Sequence, residues 1–176
     1  MKRLPFTGKS IRRILAGAKS ETRRLIPAGG KPQRIVVGDV VAATEAYALL
    51  LPPAPRTLYR ADWRSTGPST WQRSVEGIEE WWAGKWTPAR HMPARLARIH
   101  LRVLEVDARW LNDMTDADAV NEGCTGSPLL TPLEQFRAEW DEINRRRAPW
   151  ASNPWVWRFS FERLTTTPRL PVRSRS

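Results

Sequence analysis

At 176 residues, with 41% hydrophobic side chains and ten tryptophans, the chain has enough apolar material for a packed core and is not a disordered polyelectrolyte. Fifteen prolines argue against a helical bundle, and no run approaches the ~20 apolar residues of a membrane span. The net charge of +11 sits at the ends: +9 over residues 1–34, where Glu21 is the only acid, +4 over 163–176, and −2 over the body between. Basic ends of this kind attract polyanions by counterion release, and no membrane partner is expected. The one cysteine, Cys124, excludes an internal disulfide framework and points to a reducing, cytoplasmic setting. Met1-Lys-Arg3 begins like a signal peptide, but no apolar segment follows it.

Residues 8–17 read as a short amphipathic helix, with Ile11, Ile14 and Leu15 on one face and Gly17 as its stop. Residues 21–26 follow as a strand in which Thr22 and Arg24 share a face. Residues 35–43 read as a Gly-Asp turn leading into a buried strand. From about 49 to 93 periodicity fails, and prolines and glycines interrupt Trp63, Trp71, Trp81, Trp82 and Trp86. Aromatic and cationic side chains in this segment suit either stacking on unpaired bases or packing of an ordered loop. Ile99, Leu101 and Val103 alternate with His100 and Arg102 as a strand, and Val106 continues the apolar run. A short helix over 113–123 is expected, capped by Thr115 and ended by Gly123. Thr131-Pro-Leu-Glu134 is a capping box opening a helix to about Arg146, with Leu133, Phe136, Trp140 and Ile143 on one face. Residues 154–162 close the body as a half-buried strand whose Trp155, Trp157, Phe159 and Phe161 face the core.

Strands with few helices and no β-α-β rhythm indicate an α+β chain built on an antiparallel sheet or small barrel. One domain over 1–164 is expected, carrying an irregular Trp/Pro-rich insertion at about 49–93, with a basic, disordered tail at 165–176. No Walker A, GxGxxG or zinc-spaced Cys/His set is present, so no metal or cofactor is expected. His100 reads as a strand-face residue and Cys124 as structural.

A set of ordered segments remains. Ile14-Leu-Ala-Gly-Ala-Lys-Ser-Glu-Thr-Arg-Arg24 comes first, then Gly38-Asp39 with Glu45-Ala-Tyr47, and Tyr59-Arg-Ala-Asp62. Trp86-Thr-Pro-Ala-Arg-His-Met-Pro93 with Arg98-Ile99, Trp140-Asp-Glu-Ile-Asn144 and Asn153-Pro-Trp-Val-Trp157 complete it. In this order the set resembles ASCH domain proteins of the PUA-like superfamily, of phage or prophage type. Departures lie at Ala42, Thr44 and Ala94-Arg95, where the pattern carries Trp, Arg and Arg-Trp. The resemblance implies a small mixed β-barrel with flanking short helices and a role in RNA or nucleoside chemistry.

One bacterial branch hydrolyses the amide of N4-acetylcytidine with a lysine, a threonine three residues on and a glutamate near the end of a short helix. Lys19, Thr22 and Glu122 match that set, and the resemblance implies that they converge on one cleft. Arg23, Arg24, Glu45 and Arg98 are the matching substrate-binding candidates. A threonine hydroxyl needs a base, and a lysine serves only if its pKa falls well below its free value of about 10.4. Neighbouring arginines and burial both lower it, and Glu122 then orients the lysine or protonates the leaving amine. The expected function is a nucleoside- or nucleobase-binding protein acting as an amidohydrolase on N4-acylated cytidine. The alternatives are a non-catalytic RNA or modified-base binding module, or a ribonuclease.

Overall fold

The computed structural model describes residues 1–27, 29, 33–50 and 55–165. The basic tail expected beyond Thr165 lies outside the described residues. In chain order the elements are β1 (Lys2–Pro5), α1 (Gly8–Leu15), β2 (Glu21–Leu25), β3 (Val40–Thr44), β4 (Tyr47–Leu50) and β5 (Arg56–Tyr59). They continue with β6 (Arg64–Ser65), β7 (Thr70–Val75), β8 (Ile78–Ala83), β9 (Ile99–Trp110), α2 (Asp116–Asn121), α3 (Pro132–Asn144) and β10 (Trp155–Arg163), with short 3-10 turns between several of them. The class is α+β, as the sequence indicates. The expected closed barrel is not formed among the described residues, because the sheet ends on β1 and β2 and these edge strands do not pair with each other. No described helix is long and apolar enough to cross a membrane.

The chain divides into two compact units. The first gathers Met1–Arg12 and Val41–His100; the second gathers Arg13–Val40 and Leu101–Leu164.

In the second unit β10 lies between β2 and β9, antiparallel to both. The ladder sets Thr22 opposite Phe159 and Phe159 opposite Val106; the next pairs place Arg23 opposite Arg158 and Arg158 opposite Asp107. Residues directly across a ladder share a face, so the sheet has two sides of different chemistry. One side carries Leu25 and Val156 into a core with Leu111, Met114, Cys124, Phe136, Trp140 and Trp150. Burying an aromatic or aliphatic side chain of this size stabilises by about 1.5–3 kcal/mol each, which fixes α2 and α3 on this face. Both helices open on complete capping boxes, Thr115 with Asp118 and Thr131 with Glu134, and α3 has its proline at the start.

Two expectations change here. On α3 the buried positions are Phe136, Trp140 and Asn144, while Ile143 is exposed. On β10 the aromatic face is not uniformly core: Phe159 and Phe161 are buried, but Trp155 is exposed. The helices cover the opposite face, through Val156, and leave the outer end of the aromatic face open. The β9–β10 register also shifts between Ser160 and Phe161, so that Phe161 pairs with Val103 and Leu104 is left as an extra residue.

In the first unit β1 runs parallel to β3, β4 and β5 form an antiparallel pair, and β6, β7 and β8 form a meander. The segment expected to be irregular therefore holds most of this unit's strands. The sequence hides them because Trp71, Arg73, Trp82 and Glu80 give no clean polar-apolar alternation. Trp63, Ala48 and Leu58 form a buried cluster, with Trp71, Trp82 and Trp86 packed against it. Trp86 is the hub, with ring centroids 6.3, 5.8 and 6.0 Å from Trp63, Trp71 and Trp82. Arg60 lies 3.7 Å over Trp71. Four of the five tryptophans of this segment thus serve packing, and Trp81 alone is exposed.

Candidate functional site

The site begins where α1 stops. Gly17 takes a positive φ of 74°, the backbone turns back, and the chain enters β2 through Lys19 and Ser20. Ser20 donates its backbone N–H to Asn121 O at 2.8 Å, pinning this connection to the last turn of α2. Gly123 then leaves α2 with φ of 85°, and a Cβ there would meet Arg13 Cδ at 2.7 Å and Ala18 O at 3.2 Å. Only glycine permits this approach, and the approach sets Glu122 beside Lys19.

The Lys19 amine bonds Glu122 Oε2 and donates to the Glu122 backbone oxygen at 3.1 Å. Arg23 lies 3.3 Å from the other Glu122 oxygen, 3.3 Å from Glu21 and 3.2 Å from Asp118. Arg158 extends the chain of charges, at 3.0 Å from Glu21, 2.6 Å from Glu105 and 2.7 Å from Asp107. Lys19 is 5% exposed and Glu122 4%. Burial pushes the Lys19 amine below its ordinary value, against the pull of Glu122, and Arg24 acts in the same direction as burial. The hydrogen bond from Arg158 holds Asp107 below the ordinary carboxylate range, against burial.

Lys19, Glu122 and Arg23 are therefore brought together from positions a hundred residues apart. Thr22 is not part of that knot. It is 2% exposed, projects from the sheet face opposite Arg23, and makes no side-chain hydrogen bond to Lys19 or Glu122 among the described residues. The expected open cleft with all three groups at its mouth is replaced by an enclosed arrangement, because β2 is an ordered strand whose neighbour β10 packs Phe159 against Thr22. Arg24 shares the Thr22 face, is half-buried and donates to Arg23 O at 3.2 Å. Sequence reasoning missed Asp118, Glu21 and Arg158. The alternation of β2 and β10 carried the signal for two of them, since a strand pairing Arg23 with Arg158 requires acids on the same face.

Glu45 and Arg98 also meet each other, within the first unit. Arg98 donates to Glu45 Oε1 at 2.9 Å and forks onto Asp62 at 2.7 and 2.8 Å, with its guanidinium 4.3 Å over the Tyr59 ring. Glu45 also accepts from Ala61 N at 3.3 Å. Burial pushes the Glu45 carboxyl up, against the bonds from Arg98. Asp62 and Tyr59 complete this cluster and were not singled out from sequence. His100 is buried in its strand, and burial lowers its pKa; burial likewise pushes the Cys124 thiol up. Among the described residues no three His, Cys, Asp or Glu side chains are grouped to hold a metal ion.

No family model, characterised protein or solved structure matches this chain.

Proposed function

We propose that the chain is an ASCH-type, PUA-like protein that binds an acylated nucleoside and hydrolyses its exocyclic amide, with N4-acetylcytidine as the working substrate. The observation that carries this reading is the enclosed Lys19–Glu122 contact, made by two of the three residues the motif resemblance selects. Burying an ammonium and a carboxylate costs several kcal/mol per ion, and groups with strongly perturbed protonation collect at functional sites.

In this reading a neutral Lys19 amine takes the Thr22 hydroxyl proton as Thr22 Oγ attacks the acyl carbon. The tetrahedral adduct then collapses, its C–N bond breaks, and Lys19 returns the proton to the departing N4 amine. Water hydrolyses the resulting threonyl ester to acetate and free Thr22. Glu122 holds the lysine in place, and Arg24, on the Thr22 face, takes the ribose or phosphate. Because Thr22 is enclosed on the sheet face opposite Arg23, substrate entry has both to uncover it and to bring the Lys19 amine round from Glu122 to its hydroxyl.

The test is hydrolysis of N4-acetylcytidine to cytidine and acetate by the purified chain and by Lys19→Met, Thr22→Ala and Thr22→Ser. Loss of turnover in the first two and partial retention in the third is the expected pattern. No turnover by the parent chain, or turnover undiminished in Thr22→Ala, refutes the catalytic reading.

A structural reading competes, favoured by the three carboxylates around Arg23 and the burial of Thr22. There the knot ties α2 to β2 and does no chemistry. It predicts that Lys19→Met lowers stability without any acyl-nucleoside activity to lose.

A further inference from the structure

The sheet face that carries Thr22 continues outward into a bare aromatic surface. Three rows succeed one another along it. Thr22 lies with Phe159 and Val106, Arg24 with Trp157 and Ala108, and Trp155 with Trp110. At about 3.3 Å rise per residue the rows stand roughly 7 Å apart. In the innermost row Thr22 and Phe159 are buried and Val106 is half-buried; Trp157 and Arg24 are half-buried, and Trp110 and Trp155 are 43% and 44% exposed. Their rings contact each other, with centroids 4.4 Å apart and planes at 41°. Two neighbouring tryptophans this open, on a regular strand pair, contribute little to a core.

Charge is segregated across the same sheet. Glu21, Glu105 and Asp107 project to the helix-covered side, where Arg23 and Arg158 hold them. The three aromatic rows contain no acid, and their one charge is Arg24. Flat aromatic faces beside a cation, with carboxylates kept to the far side, fit an anionic chain carrying planar rings.

We propose that this face is a stacking platform for single-stranded RNA. Bases of an unpaired strand stack on Trp155, Trp110 and Trp157, Arg24 meets the backbone between them, and the strand runs along the rows toward Thr22. The choice of RNA rests on the nucleoside reading above, and deepens it: the acylated cytidine is presented within an unpaired strand, two rows from its flanking stacked bases.

Fluorescein-labelled decauridylate, titrated with the full chain and followed by anisotropy and by tryptophan quenching, tests this. The parent chain is expected to bind, and Trp110→Ala with Trp155→Ala to weaken binding about 10–100-fold. Both side chains are exposed, so the double variant is expected to keep its fold, which circular dichroism checks. Trp110→Phe with Trp155→Phe keeps aromatic faces and is expected to stay within a few-fold of the parent. Absence of binding, or equal binding by the double alanine variant, overturns the platform. Decathymidylate bound as tightly as the RNA, or more tightly, overturns the RNA assignment. RNA held through these tryptophans without hydrolysis of N4-acetylcytidine leaves the platform standing and removes the amidohydrolase. Hydrolysis without RNA binding does the reverse.

Discussion

The Lys19–Glu122 contact makes a stability prediction that is independent of any activity. Glu122→Leu leaves the Lys19 amine enclosed beside one remaining acceptor, the backbone oxygen at 3.1 Å, which the substitution does not remove. Breaking a buried pair from one side typically costs about 3–5 kcal/mol. Lys19 escapes part of that by discharging, and discharge at pH 7 from an ordinary pKa of 10.5 caps the cost at about 4.8 kcal/mol. The retained carbonyl bond puts the expected loss near 3 kcal/mol, or about 6–12 °C in Tm for a chain of this size. Lys19→Met leaves Glu122 with Arg23 at 3.3 Å and is expected to cost less, about 2 kcal/mol. The double variant Lys19→Met with Glu122→Leu removes both charges, so its loss is expected to fall short of the sum by about 2–3 kcal/mol. Urea titrations of the four proteins, read by far-ultraviolet circular dichroism, give the coupling. Single losses below about 0.5 kcal/mol that simply add would show that the amine and carboxylate are solvated and that the energetics argued for the site are wrong.

If Lys19 is the base, kcat/KM for N4-acetylcytidine rises with pH along a limb set below 10.5; Glu122 favours the charged amine, so Glu122→Gln is expected to move that limb to lower pH, and a pH-rate profile decides it. Asp107 is held below its ordinary 3.8, so the stability it contributes is present above that value and lost as pH falls through its lower folded value; Asp107→Asn is expected to flatten this part of an acid titration monitored by circular dichroism. Trp63→Phe is expected to cost under about 1.5 kcal/mol, against about 3–5 for Trp63→Ala, because the buried Trp63 indole N–H has no acceptor among the described residues and phenylalanine removes it; thermal melts compare the two. Gly123→Ala forces a side chain into a left-handed backbone against Arg13 and Ala18 and is expected to lower Tm by several degrees, whereas Gly77→Ala, with nothing within 4 Å, carries the backbone strain alone.

What the sequence made legible was local and periodic. The caps at Thr115 and Thr131, the stop at Gly17, the strands Glu21–Leu25 and Trp155–Arg163, and the strand Ile99–Trp110 as far as Val106 all announce themselves through residue type and spacing. The pairing of Lys19 with Glu122 was reachable only through resemblance, since nothing local relates a lysine before β2 to the end of α2. The backbone bond from Ser20 and the bare Gly123 create that contact, and both depend on the finished fold. The strands within the 49–93 segment stayed hidden because tryptophan and arginine occupy inward positions there and blur the polar-apolar rhythm, whereas β3 was legible from its β-branched run. The open face of β10 was misjudged for a related reason. Alternation shows that Trp155 and Phe159 share a side but not how far along the strand the cover extends.

Leu104, the surplus residue opposite the step from Ser160 to Phe161, sets the reading frame of β9. It explains why the apolar run skips from Val103 to Val106, two positions that plain alternation would send to opposite sides. Leu104 is itself largely solvent-facing, so many side chains should be admissible there. Deleting it would make the ladder continuous with Val103 still opposite Phe161, so Leu101 and Val103 would stay inside, whereas keeping it without the bulge would turn both outward. This strand is thus expected to tolerate a change or the loss of the residue at 104, and to be far less tolerant of a rearrangement that draws Leu104 into the ladder as an ordinary pair.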